Sequence, residues 1–292
     1  MKHLKKRLVV VMAAALLSGL LTLPLYAQVT SAPGEAQNDP GQKAGNEWQF
    51  TLIPYAWLAG ISGDITVKNR TEHMSVPFDD ILQNLDFGGQ VQVEARKDNW
   101  GMFFQANYMK LTPNASLSRP AAVDLMQGGP TVRQAEIRTD TQVLITEFGG
   151  FYRLGQVDYS LNGQKSASFD VLAGGRYWYL QSYTFLNLPQ RGYSFSNTLY
   201  GDVIDPMIGL RMQTYFARNF FVNLRGDAAG FGVSSNSSHI SWNGVGGIGY
   251  DLSPHSTLLA GYRYLYIDYS PSGGGNVKLT MQGPVVGFAY KF

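Results

Sequence analysis

The stretch Phe87-Gly88-Gly89-Gln90-Val91-Gln92-Val93-Glu94-Ala95-Arg96-Lys97, then Asp98-Asn99, then Trp100-Gly101-Met102-Phe103-Phe104-Gln105-Ala106-Asn107-Tyr108, decides the fold. Successive side chains of a β-strand point to opposite faces. Phe87, Gly89, Val91, Val93 and Ala95 therefore share one face, and Gln90, Gln92, Glu94 and Arg96 share the other. Asp98-Asn99 makes a tight turn, after which Trp100, Met102, Phe104, Ala106 and Tyr108 resume the apolar face opposite Gln105 and Asn107. This is a hairpin with one face for lipid and one polar face, the pattern of a transmembrane β-barrel wall.

The same two-residue period runs outward in both directions. It predicts an all-β chain, an antiparallel transmembrane β-barrel of about ten strands, near 48–67, 87–97, 100–111, 137–154, 168–182, 198–217, 219–232, 238–252, 256–270 and 277–292, with eight strands as the alternative count. Tight turns at Asp98-Asn99, Arg218-Asn219 and Ser253-Pro254 alternate with longer segments at 68–86, 112–136 and 183–197. Short periplasmic turns and longer extracellular loops are the asymmetry expected of such barrels, and an even strand number puts both termini of the mature chain in the periplasm. Trp100, Phe216, Phe220 and Phe292 fall near the short turns, while Tyr177, Tyr179, Tyr262, Tyr264 and Tyr266 run along outward faces toward the long loops. Amphipathic rings favour the headgroup level of a membrane.

Both ends of the chain fit that reading. Lys2, Lys5, Lys6 and Arg7 form a basic region, Leu8 to Leu23 an apolar one, and Leu25-Tyr26-Ala27 places a small residue at the cut, so residues 1–27 read as a signal peptide. Residues 28–46, rich in Pro, Gly, Ala and Gln, read as a flexible periplasmic lead-in to a barrel over 47–292. At the other end, Phe288, Tyr290 and Phe292 form one aromatic stripe on which the chain stops. That ending resembles the C-terminal assembly signal of Gram-negative outer-membrane barrels. The resemblance implies outer-membrane lipids and lipopolysaccharide as surroundings and the barrel assembly machinery as a partner.

Composition narrows the chemistry. The chain has no Cys, which excludes disulfide scaffolds and thiolate sites. Its 23 Lys and Arg fall to about 19 once the four of the signal peptide are removed, against 21 Asp and Glu. The mature charge of about −2 argues against a nucleic-acid binder. No mature segment reads as a spanning helix, and the only other structure that satisfies every backbone polar group in lipid is a closed barrel.

Following the alternation inward predicts a charged lumen. Its basic members are Arg96, Arg153, Arg176, Arg211, Arg225 and Arg263, and its acidic members Glu94, Glu147, Asp170, Asp205, Asp227 and Asp251. Charges at membrane depth are costly unless paired or hydrated, so these twelve are expected to form an ion-pair lattice. Ten strands leave little width beyond that of their own side chains. In the first long segment, Phe78, Ile81, Leu82 and Leu85 follow the spacing of one helical face. Ser75 as cap, Pro77 at an early position, and Asp79 and Asp80 in the first turn favour a short helix there, a candidate lid over the barrel mouth.

Ile53-Pro54-Tyr55-Ala56-Trp57-Leu58-Ala59-Gly60-Ile61-Ser62-Gly63, Phe78-Asp79-Asp80-Ile81-Leu82, Asn84-Leu85-Asp86-Phe87, and Glu94-Ala95-Arg96-Lys97 with Trp100-Gly101 resemble a family of uncharacterised proteobacterial outer-membrane barrel proteins. The resemblance covers roughly residues 47–111 closely and the rest by architecture, and it implies location and fold but no site residues.

Two motifs tempt toward other chemistry. Gly244-Val245-Gly246-Gly247-Ile248-Gly249 matches the dinucleotide pattern, which needs a strand before it and a helix after it, whereas here it lies inside an alternating strand. His239-Ile240-Ser241-Trp242-Asn243 loosely resembles the base and nucleophile pairing of outer-membrane lipid hydrolases, but His239 and Ser241 share the lumen face, away from a lipid substrate. His73 and His255 fall in predicted loops or turns. No cofactor or metal is expected and no catalytic residues are assigned. The expected function is a small porin-like conduit, open to a small solute, or a structural barrel with a narrow charge-lined lumen. The alternatives are a lipid hydrolase using His239 and Ser241, or an adhesin or receptor working through its loops.

Overall fold

The computed structural model describes residues 47–67, 70–112, 114–117, 135–158, 166–188, 193–233, 238–270 and 275–292. The segments read as signal peptide and lead-in lie outside the described residues, as do 118–134 of the segment read as a loop over 112–136. The strands are β1 (Gln49–Trp57), β2 (Gly60–Val67), β3 (Arg70–Val76), β4 (Leu85–Lys97), β5 (Trp100–Leu111), β6 (Asn114–Leu117), β7 (Ala135–Asp158), β8 (Ser166–Leu188), β9 (Tyr193–Tyr215), β10 (Phe220–Gly230), β11 (Ile240–Asp251), β12 (Ser256–Tyr269) and β13 (Asn276–Lys291). One helix, α1 (Phe78–Gln83), joins β3 to β4.

The sheet runs β1-β4-β5-β7-β8-β9-β10-β11-β12-β13 and closes because β13 pairs both β1, at Thr51↔Lys291 through Trp57↔Val285, and β2, at Gly60↔Gln282 through Thr66↔Asn276. Every pairing is antiparallel. Since β1 and β2 are two halves of one stave, broken at Leu58-Ala59, the wall is a closed ten-stave antiparallel transmembrane barrel. The ladder that closes the wall onto β4 is made by the β1 half, at Gln49↔Arg96 through Pro54↔Val91, whereas the β2 half pairs β13 and β3.

Register follows the alternation of the sequence. Leu52, Phe104, Ile208, Leu224 and Val286 are exposed on the outside, while Gln105, Asn107, Glu147, Asp205 and Asp227 are buried inside. The start of β1, the end of β13 and the short turns share one end, called here the turn end. There, tilted rings meet from strand to strand, Trp100 with Tyr152 at 4.6 Å and Phe220 with Tyr250 at 4.5 Å, and Tyr290 meets Phe292 edge-on at 4.9 Å at the end of β13.

Three expectations about the opposite, loop end are corrected. The segment 68–86 is not a plain loop: β3 returns along β2 as a hairpin, and α1 follows it. The segment 183–197 is largely strand, because β8 runs on to Leu188 and β9 begins at Tyr193, paired at Leu188↔Tyr193. Alternating Tyr193, Phe195 and Leu199 continue the two-residue period there. Finally, α1 is only six residues long and its N-cap position is Pro77, with Ser75 still in β3. Ile81 is buried among Ile65, Met74 and Val76, whereas Leu82 is 55% exposed and Leu85 already belongs to β4. The four apolar residues do not form one buried helical face, because the helix ends before its second turn is complete.

The glycine motif Gly244 to Gly249 lies wholly within β11. A Cβ on Gly249 would lie 2.0 Å from the Phe221 ring, and one on Gly247 would lie 2.6 Å from the Ala260 carbonyl oxygen. These glycines are places where a ring or a neighbouring strand comes too close for a side chain.

Candidate functional site

Inward side chains of seven strands meet in two layers of charge. Nearer the turn end, Asp170 on β8 receives Arg153 Nε at 2.8 Å from β7 and Arg211 Nη2 at 2.9 Å from β9. Arg211 Nη1 then reaches Glu94 Oε1 at 2.5 Å on β4, four staves away. The Arg211 guanidinium also lies 4.5 Å from the centre of the Phe151 ring.

One layer further in, Glu147 on β7 has no exposure and accepts from three arginines: Arg176 Nε at 3.1 Å, Arg225 Nη2 at 2.7 Å and Arg263 Nη2 at 2.6 Å. β7 and β12 stand five staves apart in either direction, so the Glu147–Arg263 contact crosses the full lumen. Asp227 accepts from Arg176 Nη2 and, at 2.9 Å, from Arg225 Nε. Asn243 Nδ2 donates to Asp227 at 2.9 Å while its Oδ1 accepts from Arg263 Nε at 2.8 Å. Each buried guanidinium thus has carboxylate, amide or hydroxyl partners, which is the condition under which buried charge is tolerated.

Three of the twelve predicted lattice charges are held differently. Asp205 stands opposite Arg176 in register, but its carboxylate is taken by the Ser238 N–H at 2.7 Å, the Ser238 hydroxyl at 2.6 Å and the Ser241 hydroxyl at 3.4 Å. Asp251 accepts from Tyr215 at 2.9 Å and Thr257 at 2.5 Å. Arg96 turns its Nε to the carbonyl of Asp98 at 2.9 Å in its own turn. All three sit where a hydroxyl or a carbonyl is nearer than the opposite charge, a difference of one layer that alternation does not encode.

The tempting pair on β11 is separated. Ser241 Oγ accepts from Arg176 Nη1 at 3.0 Å and donates to Asp205, and it has no exposure, while His239 is exposed and lies just before the strand. His73 bonds Asp64 at 2.7 Å and His255 bonds the Lys291 carbonyl at 3.0 Å.

The interior also holds aromatic residues that the reading of aromatics as lipid-facing missed. Tyr55 points inward, donating to Asn107 at 2.7 Å and accepting from Gln105 at 2.6 Å. Trp57 lies 4.6 Å from the Arg263 guanidinium, and Phe103 5.2 Å from that of Arg225. Strand parity alone, applied to Tyr55 and Trp57 as strictly as to Gln105 and Asn107, was the signal that would have found them. The charge lining expected of the lumen occupies only part of its height. Toward the loop end the inward face is uncharged, with Ile145, Leu265, Val203 and Ile267 buried there beside the hydroxyls of Thr139, Thr141 and Ser182. The predicted charges fall on the turn-end side of that region.

The Gln90 side chain closes the β1–β4 seam, with Oε1 accepting from the Trp57 N–H at 2.5 Å and Nε2 donating to the Trp57 carbonyl at 3.4 Å.

No protein-family model and no curated protein sequence matches the chain. Among solved structures, the chain is similar to the outer membrane protease OmpT from Escherichia coli, at 8% identity and a TM-score of 0.46, over 87% of this chain and 100% of that one. It is similar to the translocator domain of the autotransporter NalP from Neisseria meningitidis, at 13% identity and 0.39, over 83% and 88%. It is also similar to Ail, the attachment invasion locus protein of Yersinia pestis, at 11% and 0.28, over 84% and 98%. At such scores no residue role or activity passes from those proteins to this one.

Proposed function

We propose that the chain is an outer-membrane β-barrel whose lumen is closed at its waist, a non-conducting structural or binding barrel rather than an open porin. The contact that carries this reading is Glu147 to Arg263, a 2.6 Å hydrogen bond between opposite walls. Arg211 to Glu94 closes a second layer beneath it. An open pore needs a continuous water path; in one layer Glu147 and Arg176 have no exposure, and in the layer beneath it Arg211 and Glu94 keep only 15% and 17%. The exposed apolar band and the turn-end aromatics support a lipid environment, and the resemblance of Phe288, Tyr290 and Phe292 to the assembly signal supports the outer membrane with both termini periplasmic. Partners on this reading are outer-membrane lipids, lipopolysaccharide and the assembly machinery.

The test is single-channel recording of refolded protein in planar bilayers. The expected trace is indistinguishable from that of a protein-free bilayer. Reproducible current steps from the wild-type barrel would sink the closed-waist reading and restore the conduit. A lipid-hydrolase role is tested by assaying phospholipid release, with background activity expected because Ser241 is engaged by Arg176 and Asp205.

A further inference from the structure

One stave changes neighbours halfway up the wall. Up to Pro54, β1 pairs β4, from Gln49↔Arg96 to Pro54↔Val91. Beyond it, Tyr55, Ala56 and Trp57 pair β13 alone, at Gly287, Val286 and Val285. Past Leu58-Ala59 the stave continues as β2, which pairs β13 and β3, and β3 pairs no strand on its other side among the described residues. Pro54, at the switch, brings no N–H to either ladder. The same register carried upward would set Tyr55, Ala56 and Trp57 opposite Gln90, Gly89 and Gly88, but no rung forms there. From Leu85 to Gln90, β4 therefore pairs β5 and has no strand on its other edge among the described residues.

This seam lies at membrane height. Gln90 stands seven residues above Lys97, the partner of Trp100 at the turn end. That is about 24 Å along the strand and about 18 Å up the barrel axis at ordinary tilt, within an apolar band about 25 Å tall. An edge open to lipid would leave main-chain groups without partners. Here one side chain stands in for the ladder. Gln90 Oε1 accepts from the Trp57 N–H at 2.5 Å, and its Nε2 donates to the Trp57 carbonyl at 3.4 Å. A second contact across the seam is apolar: Ile65, Met74 and Val76 of the β2–β3 hairpin, with Ile81 of α1, pack against Met109 and Leu111 of β5.

We propose that the seam is a lateral gate, in which the β2–β3 hairpin swings away from β4 about the Leu58-Ala59 break and Gln90 is the latch. Opening breaks the two Gln90 hydrogen bonds and no ladder. The side chains it parts, Ile65, Met74 and Val76 from Met109 and Leu111, are apolar. Lipid tails are as apolar as they are, so parting them inside a bilayer carries no hydrophobic penalty, as it would in water. The gate draws nothing from the closed waist, since Glu94 and Arg96 both lie below Gln90 on β4.

The test is double electron–electron resonance on the full barrel in phospholipid nanodiscs. The chain has no Cys, so spin labels attach only where one is introduced. One pair joins the hairpin to the far wall, Ser75→Cys on β3 with Ile208→Cys on β9. A control pair within the wall joins Phe104→Cys on β5 to the same Ile208→Cys. All three positions are exposed. In Gln90→Ala the hairpin pair should show a second distance beside the main one, with the ratio of second to main raised about tenfold over wild type. Gln90→Asn, polar but one methylene too short to reach Trp57, should do the same, while the control pair keeps one distance throughout. A single hairpin distance, identical in wild type and both variants, would overturn the gate. A second distance in the control pair as well would mean that the whole wall loosens, and would overturn the assignment to this seam. Opening in Gln90→Ala but not in Gln90→Asn would overturn Gln90 as the latch.

Discussion

Replacing Glu147 by Gln removes the one carboxylate that three buried arginines share. The side chain has no exposure, and its oxygens accept from Arg176, Arg225 and Arg263 at 3.1, 2.7 and 2.6 Å. After the change, Arg176 and Arg225 retain Asp227, while Arg263 keeps the amide oxygen of Asn243, the Trp57 ring and a share of the new neutral amide oxygen, but no carboxylate. Breaking a buried pair by deleting one partner costs about 3–5 kcal/mol, and the three contacts are too closely coupled to sum. The expected loss for Glu147→Gln is therefore about 4 kcal/mol. Arg96, bonded to a turn carbonyl, is the contrast: Arg96→Gln should cost less than about 1 kcal/mol. Urea unfolding in phospholipid vesicles, read by tryptophan fluorescence and by the gel shift between folded and unfolded barrel, measures both. A cycle with Arg263→Gln should return a coupling energy of about 2 kcal/mol. If Glu147→Gln unfolds within about 1 kcal/mol of wild type, the lattice does not bind the walls together and the reasoning fails.

Three other outcomes can be checked in the same system. Val93→Arg, on the lipid face, should destabilise by about 2–4 kcal/mol if it lies near the midplane, whereas Gln92→Arg, facing the lumen beside Glu94, should be much milder; the reverse ranking in urea unfolding would shift the register of β4 by one residue. Gly249→Ala drives a methyl to 2.0 Å from the Phe221 ring and should cost about 1–3 kcal/mol, and an unfolding midpoint equal to wild type would show that the ring moves freely. Phe292→Asp should reduce the fraction of chain assembled into outer membranes, measured by fractionation and heat-modifiable migration, and normal assembly would count against the aromatic stripe as a recognition element.

Fold class, strand number and the facing of the charged wall positions were legible in the sequence, because a two-residue period needs only neighbours along the chain to express itself. Val91 and Val93 outward, Gln92 and Glu94 inward, and the turn at Asp98-Asn99 are all consequences of local alternation. Strands β8 and β9 outran their predicted ends because Tyr183 to Leu188 and Tyr193 to Tyr200 keep that period beyond the point where the mixed polarity reads as loop.

What alternation cannot supply is height and partnership across the lumen. That Glu147 meets Arg263, 116 residues away, while Asp205 goes to Ser238 instead of the arginine opposite it, depends on the stagger of the closed sheet. The same stagger sets the height of the charged waist and brings Tyr55 and Trp57, inward by parity, beside Asn107 and Arg263. The sequence by itself determined which residues face the lumen. Only the tertiary structure decided which of them touch, because closure into a barrel brings opposite walls within hydrogen-bond reach, and no spacing along one strand records that distance.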